Sequence, residues 1–218
     1  MATLADLKRR VLNLISDIEV ANSDPIAGAQ FSAALLLEAI DAGLDAILPW
    51  VSKSSVATLT GNAVLTEFPL PTDLYRIEAV WDGLYYSFIP IVKMSPGVQW
   101  SDSISELTCM DYPEGKITFS YALSTSGGKV YYAATWTKPE LDDDDISAPE
   151  VTHTAICLFA ASYCMLNKAN QAAILNAFKT RVDSGSPEDN PAKTMSDYFL
   201  RRFELEMNRH PAKDRGQR

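Results

Sequence analysis

The sequence is poor in the residues that carry most enzyme and metal chemistry. In 218 residues there are two histidines, His153 and His210, and three cysteines, Cys109, Cys157 and Cys164. An odd and small cysteine set cannot form a fully paired framework, which points to a reducing compartment. No stretch approaches the 18 or so uncharged apolar residues of a membrane span, and the opening MATLADLKRR lacks the apolar run of a signal peptide. The expectation is a soluble protein made inside a cell, without membrane contact. Basic charge is also short. Twenty-eight acids against 19 Lys and Arg leave a net charge of −9, which argues against a free-standing nucleic-acid binder. Hydrophobic residues at 47% and charged residues at 22% are ordinary for a globular chain, so wholesale disorder and collagen-like repeats are excluded. A chain of this length buries most of its apolar surface without staples.

The chain opens as a helix. Thr3 and Asp6 have the spacing of a capping box, and Leu4, Leu7, Val11, Leu14, Ile15 and Ile18 recur on one helical face. Pro25 ends that segment, since it has no amide hydrogen and disfavours helical geometry at Asp24. A second helix is expected over about 28–48, stopped by Pro49. Ala33, Leu37, Ile40, Leu44 and Leu48 form its row, Leu35 and Leu36 lie off it, and Glu38, Asp41 and Asp45 make one narrow acidic stripe. A helix this apolar needs cover on several sides, from a core or from another subunit. Leu36 is expected in a contact with a neighbouring copy.

From about 55 to 136 the period changes to that of strands. The runs VATLT, YRIEAVW, YYSFIPIV, ELTCMDY, KITFSYAL and KVYYAATW are separated by turn residues, and Asp82-Gly83 is the strongest hairpin signal. Segment 139–149 reads as a linker around Asp142-Asp143-Asp144-Asp145. Helix then resumes, with Thr152, Ile156, Phe159, Tyr163 and Leu166 in one row, and a further helix from Gln171 to about Val182. A loop over 184–191 precedes a last helix, in which Met195, Phe199, Phe203 and Met207 form an i, i+4 ladder. The fold class is α+β: a helical bundle of N- and C-terminal helices with an inserted antiparallel β module. The expected domains are 1–54 with 137–210 for the bundle, 55–136 for the insertion, and 211–218 as a flexible basic tail.

Chemistry is sparse. Neither histidine sits in a nucleophile motif, and His153 reads as structural or surface. Cys157 and Cys164 share a helix face but lie about 10 Å apart by helical rise, beyond disulfide reach. No CxxC or HxxxH accompanies them, so they read as core thiols rather than zinc ligands. The four consecutive aspartates lack the alternating ligands, glycine and final glutamate of a calcium loop, and read as a solvated, mobile connector. No phosphate-binding glycine loop occurs. These observations give no catalytic residue, no metal ligand and no cofactor.

Charge is unevenly spread. Between Val11 and Ser52 there are six acids and no Lys or Arg, whereas from Arg201 onward six bases face three acids. The basic end is solvated chain, a surface for an acidic partner or, third, a polyanion contact.

Element order and local phrasing resemble the head-to-tail adaptor (connector) proteins of tailed bacteriophages, the longer kind with a β insertion. The features that carry this are the helical opening, the helix end Asp45-Ala46-Ile47-Leu48-Pro49-Trp50, and the phrase Leu70-Pro71-Thr72-Asp73-Leu74-Tyr75-Arg76-Ile77 entering a strand with Trp81 after it. The helical return with Tyr163 and the final helix and tail complete the pattern. The resemblance implies a virion structural protein of the neck, synthesised in the host cytoplasm and not an enzyme. It would form a homo-oligomeric ring, commonly of twelve copies, below the portal protein. Genomic DNA would pass through the channel without specific binding, and the tail or further neck proteins would dock on the ring. Under that reading Glu38, Asp41 and Asp45 would line the channel or a subunit boundary. Phe199, Phe203, Arg209, Lys213, Arg215 and Arg218 would meet the portal. Another neck or tail-completion protein, or an unrecognised enzyme or ligand-binding α+β protein, are the alternatives.

Overall fold

The computed structural model describes residues 2–15, 31–60, 67–81, 86–87, 116–118, 127–182 and 191–209. The chain separates into two units, 1–51 with 136–218, and 52–135. Helices of the N- and C-terminal segments make up the first, and an antiparallel β module inserted between them makes up the second.

In the helical unit, α1 (Leu4–Leu14) begins at Thr3. Thr3 Oγ1 accepts from the Asp6 amide at 3.3 Å, while Asp6 Oδ2 accepts from the Thr3 amide at 3.2 Å, so the expected capping box forms. The next two free amides of the helix start, Leu4 and Ala5, donate to the carbonyls of Asp144 and Asp142 at 3.0 Å each. Ile146 donates back to the Ala2 carbonyl. The four-aspartate connector is therefore clasped onto the start of α1, which corrects the expectation of a mobile linker. Sequence reading weighed its charge and could not see that its carbonyls complete a helix cap. Leu4, Leu7, Val11 and Leu12 are buried, together with Lys8.

Helix α2 (Ala33–Ile47) starts at Ser32, whose Oγ accepts from the Leu35 amide at 3.2 Å. Its buried row is Leu36, Ala39, Ile40, Gly43, Leu44 and Ile47. Leu36 is fully buried within its own copy, so it is not available for an inter-copy contact. Ala33 and Leu37 are only half-buried, since the inward face is rotated from the row expected of them. A Cβ on Gly43 would lie 3.0 Å from the Ile156 carbonyl oxygen, and this close approach is why glycine stands there.

A 3₁₀ turn (Glu150–Thr152) leads into α3 (His153–Val182), 30 residues without a break. The two helices expected between 149 and 182 are thus one. Helices α1 and α2 pack on it, and so does α4 (Pro191–Asn208). Flanked by three helices, α3 buries Ala155, Ile156, Cys157, Leu158, Ala160, Ala161, Cys164, Met165 and Ala169, which cover most of its circumference. An amphipathic stripe is a signal for a helix with one wet side, and α3 lacks one over this stretch. Ser162 and Ser196 clasp α3 to α4 reciprocally, each hydroxyl donating to the other's carbonyl at 3.0 and 2.9 Å. Phe203 stands edge-on to Phe159 at 5.2 Å and to Trp50 at 6.0 Å.

The β module holds β1 (Lys53–Leu59), β2 (Glu67–Pro69), β3 (Leu74–Trp81), β4 (Tyr86–Ser87), β5 (Lys116–Thr118) and β6 (Gly128–Ala134). Strand order is β1-β6-β3-β4 in one antiparallel sheet, with β2 and β5 paired in a second. Trp81 opposes Tyr86, so a hairpin joins β3 to β4, and the Asp82-Gly83 signal falls between them outside the described residues. The run Glu106-Leu107-Thr108-Cys109-Met110-Asp111-Tyr112 also lies outside them. Strand β2 is not among the runs read from the sequence, since its three residues are too short to show an alternation. Leu59, Phe68, Ile77, Val80, Ile117, Val130, Tyr132 and Ala134 form one core drawn from both sheets. The phrase Pro71-Thr72-Asp73-Leu74 is a turn into β3. Asp73 secures it, taking the Tyr132 hydroxyl on its carboxylate at 3.0 Å and the Thr135 amide on its carbonyl at 2.7 Å. Trp136 belongs to the helical unit, where its indole Nε1 donates to the Val51 carbonyl at 3.1 Å.

Candidate assembly surfaces

The acidic stripe of α2 is real, and two of its carboxylates are used within the copy. Glu38 is exposed and accepts the Tyr163 hydroxyl at 2.6 Å, and that bond pushes the phenol pKa above its ordinary value. Asp45 is exposed and pairs with Lys138 at 2.8 Å. Asp41 lies between them, half-buried, and its Oδ1 is enclosed without a hydrogen-bond partner. Desolvation raises its pKa, the Lys138 ammonium opposes that, and the nearby Asp45 charge adds to it. Lys138 is a counter-ion that sequence could not supply, standing 93 residues away from Asp45.

At the C-terminal end the aromatic ladder faces inward. Phe199 and Phe203 are 3% and 4% exposed. Their docking role is corrected: the i, i+4 row that singled them out is the face α4 buries against α3 and Trp50. Arg209 is exposed and pairs with Glu206 at 2.8 Å. Lys213, Arg215 and Arg218 lie outside the described residues. The outer side of α4 carries large apolar groups that the sequence reading passed over, Tyr198 at 51% and Leu205 at 60% exposure. The signal was available, since they stand seven residues apart among arginines.

Nothing in the described residues converges as reacting groups do. His153 is buried, its Nε2 donating to the Ala148 carbonyl at 3.0 Å, and its Nδ1 has no partner. Burial pushes the Cys157 and Cys164 thiols up to about 12, so neither is a nucleophile near neutral pH. Among the described residues no three His, Cys, Asp or Glu side chains are grouped as a metal site. Among them, too, no helix is long and apolar enough to cross a membrane. A groove of about 320 Å³ is lined by Phe31, Ser32, Leu35, Asn167, Lys168 and Gln171, without an acid–base pair.

Residues 2–196 match the SU10 adaptor protein family. The chain belongs to that family. It is a head-to-tail adaptor, a structural component of the virion at the head–tail interface and not an enzyme. No curated protein matches the chain. For an SU10 adaptor the features of interest are surfaces rather than a pocket, and the helical unit bears two that differ in charge. One is the connector 140–151 with the α2 stripe, and the other is the outer side of α4.

Proposed function

We propose that this adaptor assembles as a ring, of twelve copies, beneath the portal protein. The ring extends the DNA channel and gives the tail or further neck proteins their docking surface. The observation that carries the reading is the family match joined to the placement of α2. Glu38, Asp41 and Asp45, set against the single Lys138 ammonium paired to Asp45, form a row of net negative charge that repels phosphates over about a Debye length of 8–10 Å. A wall of that kind lets DNA pass without holding it. Arg209, with Lys213, Arg215 and Arg218, is the portal-facing group in this reading, and Phe199 and Phe203 support it only by fixing α4.

Truncation after Met207 tests the docking half of the proposal. The expected outcome is an unchanged helical circular dichroism spectrum with portal attachment weakened at least tenfold at low salt. The difference should shrink as salt rises, because the tail charges act by screened attraction. Attachment unchanged across a salt series would remove the tail from the interface.

A further inference from the structure

We propose that neighbouring copies in the ring meet through the outer face of α4 on one copy and the acidic connector 140–151 on the next. This rests on the ring reading above and adds which surfaces form it. Tyr198, Arg201, Arg202 and Leu205 stand at i, i+3, i+4 and i+7, on the side of α4 opposite its buried row Ala192, Ser196, Phe199, Phe203 and Met207. Tyr198 and Leu205 are more than half exposed. Arg202 donates from Nη1 to the Tyr198 hydroxyl at 3.1 Å and holds its guanidinium 5.9 Å from that ring. The cation and the aromatic are thus already arranged as a unit before any partner arrives. Tyr and Arg set around an aliphatic side chain is the composition of interface anchors.

The connector has the complementary character. Leu141 and Val151 are 63% and 62% exposed, and Glu140, Asp143, Asp145 and Glu150 are exposed around them in the chain. The other two aspartates fix the segment. Asp142 holds Lys8, and the Asp144 carboxylate accepts the amides of Glu140 and Leu141 at 2.8 Å each. The outward carboxylates of Asp143, Asp145 and Glu150 have no ion-pair partner among the described residues, and neither does Arg201. One surface therefore has unpaired positive charge and bare apolar groups, and the other has unpaired negative charge and bare apolar groups.

Both surfaces belong to one copy, on different elements: the connector caps α1, and both α1 and α4 pack on α3. Two unlike, complementary patches on one subunit make a head-to-tail contact, which closes into a ring when the rotation allows. A two-fold contact centred on either patch would instead set arginine against arginine, or carboxylate against carboxylate.

The test uses the full chain with Cys109→Ser, in which the remaining thiols are buried. Leu205→Cys is combined with Leu141→Cys, or with Val151→Cys, and portal-bound assemblies are oxidised. The expected result for at least one pair is a covalent ladder reaching the full ring on a non-reducing gel. Mixing the corresponding single-cysteine chains should give covalent dimers and nothing larger, and each single chain alone should give none. Portal-bound rings in which neither pair cross-links would overturn this assignment and leave the ring reading standing. Absence of any ring on the portal would overturn both. Arg201→Glu with Arg202→Glu should weaken ring formation at least tenfold, and adding Asp143→Lys with Glu150→Lys should restore it; failure of that restoration also counts against the contact.

Discussion

Lys8 Nζ reaches Asp142 Oδ1 at 2.6 Å, joining residues 134 positions apart in the chain. The lysine side chain is only 7% exposed and the aspartate 48%, so the pair sits where the α1 core meets solvent. Removing the carboxylate would leave the charge of a buried lysine without its partner.

Asp142→Asn is therefore expected to cost about 1–3 kcal/mol, below the loss typical of a fully buried pair because the aspartate is half in water. Lys8→Met should cost less, since methionine keeps an unbranched apolar side chain in the buried position without a charge to satisfy. The double variant should be more stable than the sum of the single losses implies, and a urea-denaturation cycle reads that coupling. Additive losses would mean that the pair is solvent-screened and adds nothing to the clasp.

Gly43 allows α2 to approach the α3 backbone. Gly43→Ala sets a methyl 3.0 Å from the Ile156 carbonyl oxygen and 3.1 Å from Ile156 Cγ2, and a backbone oxygen inside a helix cannot swing away. Overpacking of this kind costs about 1–3 kcal/mol, against a gain of up to ~1 kcal/mol from replacing glycine in a helix. A net loss of about 1 kcal/mol is expected in thermal melts. A gain in stability would show that the two helices are free to separate.

Acid should act on this fold in two opposed ways. Asp6 is held below its ordinary pKa, chiefly by the Thr3 amide, and Asp144 by the amides of Leu141 and then Glu140. Their contribution is fully present above the unfolded value of about 3.8 and is lost as pH falls through the lowered folded values. Asp41 runs the other way. Its folded pKa is raised, mainly by desolvation, so ionisation above that value works against the fold and protonation below it relieves the cost. Asp41→Asn should raise Tm by about 1–3 °C at pH 7, with the advantage fading as the pH drops toward 4. An equal effect at both pH values would place the cause in packing rather than charge.

Much of this was legible from residues alone. Thr3 and Asp6 announced the start of α1 because a capping box is local. Three of the strand-like runs, VATLT, YRIEAVW and KVYYAATW, coincide with β1, β3 and β6, and two more overlap β4 and β5, because side-chain alternation is local too. The facing of an apolar row is not. Phe199 and Phe203 were visible as a row, but whether it meets its own α3 or a partner depends on residues forty positions away, Phe159 among them. Lys8 gave a partial signal, since it stands one turn from Leu4 and Val11 on the apolar face. Its partner Asp142 gave none. The docking of 142–146 onto α1 depends on backbone carbonyls, which every residue has and no sequence pattern marks.

The central claim, that this chain is a ring-forming adaptor between portal and tail, is tested most directly by imaging it with its portal protein by electron cryomicroscopy. The account predicts twelve copies in a closed ring below the portal, α2 and its Glu38–Asp45 row at the channel wall, and the C-terminal end of α4 against the portal. A single copy bound at the periphery, or a ring whose channel wall is lined by α4 instead, would contradict it.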